Sequence, residues 1–187
     1  MKSKGYWGKI LRVDLTNEEI TTEEISDEMA KKYIGGVGLA TKIVYDEVPE
    51  DADPLGPENV FVYAVGPFPG TGILGSGRYV ACAKSPLSGI WGESLGGGYN
   101  AKEMKKAGFD AIVVTGKAEK PVYLWVHDGE AELKDATHLW GEKDSFETED
   151  AIKEELGDDS IRIAPIGPAA ENLVRFAGIF ANYGHGC

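Results

Sequence analysis

Apolar and polar residues alternate through Lys9-Ile10-Leu11-Arg12-Val13-Asp14-Leu15 and, after the polar break Thr16-Asn17-Glu18-Glu19, again through Ile20-Thr21-Thr22-Glu23-Glu24-Ile25. A period of two puts every second side chain on one face, so these runs predict a hairpin of two half-buried strands. The period then lengthens. Ser26 stands at an N-cap position, Asp27 and Glu28 follow where acids favour a first helical turn, and Met29, Tyr33 and Ile34 share an apolar face. The same order returns later in the chain. Residues 121–127 read as a strand, Asp128-Gly129 as a turn and 130–134 as a strand, and Asp144 with Glu147 is spaced as a capping box for a helix that runs through Leu156 and stops at Gly157.

The parallel extends further. Residues 60–65 run into Gly66-Pro67 and 161–166 into Gly167-Pro168, and an arginine, Arg78 or Arg175, opens the next strand-like stretch each time. This order predicts an internally duplicated α+β fold, with repeats at about 8–84 and 121–182. Between them, 99–107 reads as a short amphipathic helix with Met104 and Ala107 inward, and 111–115 as a strand of a sheet interior. No Pro/Ser-rich linker interrupts the chain, and Tyr6 and Trp7 precede the first strand as anchors, so residues 1–187 are expected to form a single domain.

Composition narrows the function. A net charge of −12 and the lack of any basic run argue against nucleic acid, whose binding rests on clustered Lys and Arg releasing counterions. No apolar run reaches about 18 residues, and no apolar segment follows Met1-Lys2-Ser3-Lys4, so a cytoplasmic protein without a membrane partner is expected. Cys82 and Cys187 are too few for a disulfide framework or a four-thiolate metal centre. The informative excess is glycine: 25 residues, concentrated at 35–38, 66–77 and 92–98, where the backbone turns tightly or approaches something closely.

These clusters give two candidate sites. Gly36-Val37-Gly38-Leu39-Ala40-Thr41 nearly spells a dinucleotide fingerprint, but that motif needs a strand before its glycines and here a helix precedes them. A helix-to-helix turn is the first reading and a phosphate contact the second. Gly75-Ser76-Gly77-Arg78-Tyr79 and Trp91-Gly92-Glu93-Ser94-Leu95-Gly96-Gly97-Gly98-Tyr99 form two glycine-rich loops around a short strand, the second leading into a helix N-terminus. Exposed backbone N–H groups there, with the five-donor fork of Arg78, suit an anion. The competing reading is two hairpin turns and a solvated arginine.

Resemblance tips that balance. Gly5-Tyr6-Trp7-Gly8-Lys9-Ile10-Leu11-Arg12-Val13-Asp14-Leu15, Ile34-Gly35-Gly36-Val37-Gly38-Leu39-Ala40 and Ser85-Pro86-Leu87-Ser88-Gly89-Ile90-Trp91-Gly92-Glu93-Ser94 resemble the N-terminal domain of tungsten-containing aldehyde:ferredoxin oxidoreductases. So do Lys106-Ala107-Gly108-Phe109-Asp110, Gly116-Lys117-Ala118-Glu119-Lys120-Pro121-Val122-Tyr123 and Ile166-Gly167-Pro168-Ala169-Ala170-Glu171-Asn172-Leu173-Val174. The resemblance implies two mainly antiparallel sheets related by a pseudo-twofold, with helices packed on them. It also implies a saddle beneath a tungsten- or molybdenum-bis-pterin cofactor whose phosphates are bridged by magnesium.

By the same resemblance Arg78 is the pterin-binding arginine, Gly97 a glycine of the same loop, Gly96 its neighbour, and Leu95 stands where archaeal members carry an asparagine near the magnesium. A leucine side chain cannot ligate magnesium, so only its backbone could serve there. A second cofactor loop is expected soon after Gly184-His185. The 4Fe–4S cluster cysteines and the acid near the metal are expected beyond residue 187, so catalytic residues are expected to lie outside this chain, which alone would be inactive. The whole enzyme would oxidise an aldehyde to a carboxylate and pass electrons to ferredoxin, a homodimer being one arrangement. Its remaining domains would cover this one, so an apolar face is expected to be exposed. The rival readings are a non-catalytic scaffold of the same fold and a nucleotide-binding protein using residues 36–41.

Other residues have plainer explanations. His127 and His138 lack the i+4 partner of a metal pair, and the acidic clusters Glu18-Glu19, Glu23-Glu24 and Glu147-Thr148-Glu149-Asp150 read as solvated faces. Trp91, Trp125 and Trp140 are expected to pack in the core, with Trp91 the one placed to stack on a ligand.

Overall fold

The computed structural model describes residues 5–187; residues 1–4 of the expected domain lie outside the described part. In chain order the elements are β1 (Lys9–Asp14), β2 (Glu19–Glu24), α1 (Asp27–Tyr33), α2 (Val37–Glu47), β3 (Phe61–Val65), β4 (Tyr79–Lys84), β5 (Trp91–Gly96), α3 (Asn100–Lys106) and β6 (Ala111–Thr115). There follow β7 (Val122–His127), β8 (Glu130–Asp135), α4 (Ser145–Leu156), α5 (Pro168–Glu171), β9 (Phe180–Ala181) and β10 (His185–Gly186). This is α+β architecture. No helix among the described residues is long and apolar enough to cross a membrane.

The centre is a six-stranded sheet in the order β2-β1-β6-β3-β4-β5. Its neighbours are antiparallel except β1 and β6, which run parallel with Ile10 opposite Ala111 and Val13 opposite Val114. The alternation read from the sequence sorts the strands between two cores. Ile10, Val62, Ala64, Val80, Cys82 and Val113 face α2, whose Leu39, Ala40, Ile43 and Val44 close that side. Leu11, Val13, Tyr63, Val65 and Tyr79 face the other way, onto Ala101, Met104, Phe109 and the β7–β8 ribbon. Both faces are covered, which is why β3 is apolar at every position.

Local chemistry sets the element ends as expected. Ser26 Oγ accepts from Met29 N at 3.1 Å. At α4, Asp144 and Glu147 form a reciprocal capping box, and Gly157 closes the helix in a left-handed conformation. The N-terminal stretch is anchored through a buried pair: Asp110 accepts from Lys105 Nζ and, at 2.7 Å, from Gly8 N, while Lys105 Nζ also donates to Gly5 O at 2.9 Å. Trp7 donates its indole N–H to Lys105 O.

Two expectations need correction. Instead of a second sheet, the latter half carries two separate two-stranded ribbons, β7–β8 and β9–β10. The expected hairpin and capped helix are there, but residues 161–166 join no ladder; Ile161 and Ile163 pack instead on Ala136, Leu139 and Ile152, and Pro165 O accepts from Phe180 N. In the first half the corresponding strand β3 has a partner on either side, β4 and β6; among the described residues no strand flanks 161–166. Moreover, residues 91–96, read as loop, form the edge strand β5, with Leu95 opposite Val80 and Gly96 opposite Tyr79. Backbone pairing with β4 along the whole register outweighs the glycine content there.

Candidate functional site

The glycine pair between α1 and α2 is a helix-to-helix turn, as its context demanded. Ile34 closes α1 at φ 65°, and Gly36 caps α2 at φ 51°, a left-handed conformation that favours glycine. Gly36 N donates to Val65 O at 3.0 Å, which ties the start of α2 to the end of β3. No side chain caps this helix. Its N-terminus faces the loop that follows β3.

That contact brings the two glycine candidates together. An open cleft of about 210 Å³ is lined by Gly36, Val37, Gly66, Phe68 and Pro69 together with Gly75, Ser76, Arg78, Tyr79 and Leu95. Two features set its electrostatics. None of the residues lining it is acidic, although the chain is strongly acidic overall. And among the described residues no carboxylate pairs with the Arg78 guanidinium, in contrast to Arg12, which is gripped by Glu23 and Glu47 at 2.6–2.7 Å. A free guanidinium, the uncapped end of an 11-residue helix and glycine backbone together make this cleft suited to an anion.

Of the four sequence candidates, Arg78 and Leu95 line the cleft; Gly96 and Gly97, the next residues in the chain, do not. Gly96 is buried under Tyr79, and a Cβ on it would come within 2.0 Å of Tyr79 Cζ. Tyr79 in turn stacks on Tyr63 with ring centroids 4.5 Å apart. Burial raises the titration of both phenols far above the ordinary value, so they stay neutral. Gly97 and Gly98 face the β9–β10 hairpin, where His185 and Asn182 sit. The anion contact expected at the helix after Gly98 meets a competitor, because Asn182 Oδ1 accepts the Tyr99 N–H at 3.0 Å. The helix end that lines the cleft is that of α2.

Gly66, Phe68 and Pro69 were missed as site residues. Their signal was the Gly-Pro step, read only as punctuation. Trp91 packs against the α2-side core and donates to Glu93 at 3.1 Å, so it does not line the cleft. His138 pairs with Glu155 at 3.2 Å and His127 stacks on Trp125, both away from the cleft. Cys82 is buried, its thiol pushed up to about 12 by desolvation and then by Glu93. An exposed apolar rim is present: Phe68, Ile73, Leu74 and Leu95 are all more than half accessible.

Residues 10–187 match the family model described as aldehyde ferredoxin oxidoreductase, N-terminal domain. The chain belongs to this family. The tungsten-containing aldehyde ferredoxin oxidoreductase of Pyrococcus furiosus is 49% identical over 181 residues, which cover 97% of this chain and 30% of that protein. The aliphatic sulfonate oxidoreductase, WOR-like subunit, of the same organism is 36% identical over 196 residues, covering 96% of this chain and 31% of the relative. Among solved structures, the active site complex BamBC of benzoyl coenzyme A reductase with 1,5 dienoyl-CoA is similar with a TM-score of 0.93 at 36% identity, over 95% of this chain and 27% of that one. The chain therefore spans about three tenths of the length of these aldehyde ferredoxin oxidoreductase relatives.

Proposed function

We propose that this chain is the domain that seats a tungsten- or molybdenum-bis-pterin cofactor in a longer oxidoreductase. The observation that carries the reading is the acid-free cleft in which Arg78, unpaired among the described residues, the N-terminus of α2 and the glycine backbone converge. The residues fit the group: pterin phosphates are anions, and Arg78 offers them a planar fork in a lining that holds no competing carboxylate. The glycines admit it as well, since a Cβ on Gly66 or Gly75 would meet nothing within 4 Å.

In this assignment Arg78 binds a pterin phosphate or ring carbonyl and Gly97 lines the same loop. Gly96 contributes by shape, letting Tyr79 pack flat beneath the loop. The Leu95 carbonyl, and not its side chain, is the group available to a magnesium ion. When bound, the metal–pterin group supplies the two-electron redox chemistry, and the protein contributes orientation and charge compensation.

For the whole protein we propose oxidation of an aldehyde to a carboxylate with ferredoxin as acceptor. The 49% identity to an aldehyde ferredoxin oxidoreductase, against 36% to the sulfonate oxidoreductase subunit, supports the aldehyde. A 4Fe–4S cluster and the catalytic residues would be supplied outside this chain. Residues 1–187 are proposed as one domain, and the duplication as an ancestral feature whose second half pairs its extended run at 161–166 only with further chain.

The test is Arg78→Ala in the full-length protein from a host that makes the cofactor, with pterin, tungsten and molybdenum measured per chain. Loading should fall several-fold and recover in part with Arg78→Lys. Full loading of the alanine variant would sink the role of Arg78.

A further inference from the structure

Two adjacent residues other than glycine, Asn182 and Tyr183, hold left-handed backbone angles, with φ of 49° and 56°. Such conformations are strained and persist only where surrounding contacts over-determine them. The contacts here come from two directions. Tyr183 is gripped by one stripe of α4: Phe146 stacks on its ring at 5.9 Å, Lys153 lies over the ring at 4.3 Å, and its hydroxyl meets Lys153 Nζ at 2.8 Å and Asp150 Oδ1 at 2.6 Å. These residues and Glu149 stand at i, i+3, i+4 and i+7, hence on one helix face. The Tyr183 N–H donates to Glu149 Oε1 at 2.9 Å, and Glu149 is almost wholly buried for the purpose.

The neighbouring residue points the other way. Asn182 Oδ1 accepts the Tyr99 N–H at 3.0 Å and lies so near Gly98 that a Cβ there would come within 2.6 Å of it. Gly98 itself has φ of 84°. Arg162 adds a third support, its guanidinium stacked 5.0 Å from the centre of the Tyr99 ring. One turn thus joins a helix of the second half to the glycine loop of the first, across more than eighty residues of sequence.

We infer that Asn182 is a positioning residue of the cofactor loop, and that the turn at residues 181–184, anchored on α4 through Tyr183 and Glu149, clamps residues 96–99 in the conformation that receives the cofactor. The inference rests on the proposed pterin seat, since it says what holds in place the loop that follows Leu95 of that seat's lining. Asn suits the position twice over: it tolerates the left-handed angle better than most residues, and its side-chain oxygen is the acceptor. The two strained residues act as a rigid elbow. Without the Asn182 acceptor the Tyr99 N–H would be left without a protein partner, and the loop would be free to explore other glycine conformations.

The experiment uses the full-length protein purified with its cofactor. Asn182→Gly removes the acceptor while relieving the backbone strain, Asn182→Asp restores an acceptor, and Arg78→Ala is run beside them. Amide hydrogen exchange of the segment holding Tyr99, together with pterin and tungsten per chain, is read at matched thermal stability. Asn182→Gly should speed exchange at Tyr99 about five- to tenfold, as loss of one hydrogen bond implies, and lower cofactor loading, and Asn182→Asp should reverse both. Unchanged Tyr99 exchange in Asn182→Gly, or altered exchange with full loading while Arg78→Ala is depleted, overturns the clamp. Full loading of Arg78→Ala instead overturns that residue's part in the seat, and the clamp is then judged by the exchange and rescue pattern alone.

Discussion

Removing the Asp110 carboxylate tests the most heavily buried ion pair among the described residues. Its side chain and that of Lys105 retain 2% and 6% of their accessibility, so neither can be resolvated without local opening. Among the described residues, Asp110→Ala leaves an ammonium with only Gly5 O to accept from it and strips Gly8 N of its acceptor. Breaking a buried pair from one side costs roughly 3–5 kcal/mol, because the surviving charge is uncompensated. For a chain of this size each kcal/mol lowers Tm by about 2–4 °C, so a loss of about 4 kcal/mol should appear as a fall of roughly 8–16 °C.

Asp110→Asn keeps an oxygen for Gly8 N and should cost about half as much. The double variant Asp110→Ala/Lys105→Met, with no charge left to bury, should be more stable than Asp110→Ala alone. Urea unfolding followed by tryptophan fluorescence suits the region, since Trp7 donates to Lys105 O. If Asp110→Ala cost less than about 1 kcal/mol, or if the double variant were the least stable of the three, the pair would not be holding the N-terminal stretch to the sheet.

Three further outcomes are expected. Gly96→Ala drives a Cβ into the Tyr79 ring, which is already stacked on Tyr63, and should destabilise by about 1–3 kcal/mol in urea unfolding; a neutral effect would mean that the ring moves freely. Cys82, buried and with its thiol near 12, should resist iodoacetamide at pH 8 until the chain is unfolded, which mass spectrometry of labelled peptides would show; native labelling would contradict its burial. Burial, acting ahead of the Tyr183 N–H contact, raises the Glu149 carboxyl above its ordinary value of 4.5. Its contribution to stability is therefore fully present below that value and lost as pH rises through the folded-state titration. The stability of Glu149→Gln relative to the parent chain should climb with pH over that window, and a constant difference in Tm would refute the assignment.

Local order was written in neighbouring residues. Alternation gave the β1–β2 hairpin, the spacing of Asp144 and Glu147 gave the α4 capping box, and a helix before Gly36 favoured a helix-to-helix turn over a dinucleotide turn, each because the physics acts within a few residues. The family motif, spread through the chain in register, marked Arg78, Leu95, Gly96 and Gly97 as a set. What neighbouring residues could not show was which distant segments would meet. The order β2-β1-β6-β3-β4-β5 inserts β6 beside β1 through apolar contacts on both faces of the sheet, and no periodicity encodes that choice.

The same limit applies to the site. Residues 91–96 became a strand because β4 offered a backbone partner, and Gly36 came to share a cleft with Arg78 because its N–H reaches Val65 O. Residues 161–166 carry Arg162 and Pro165 among their apolar positions and joined no ladder, because strand formation needs a neighbour as well as a pattern. Hydrogen bonds and packing between segments far apart in sequence depend on the folded path of the whole chain, and that path is where the cleft, its freedom from acids and the elbow at Asn182 arise.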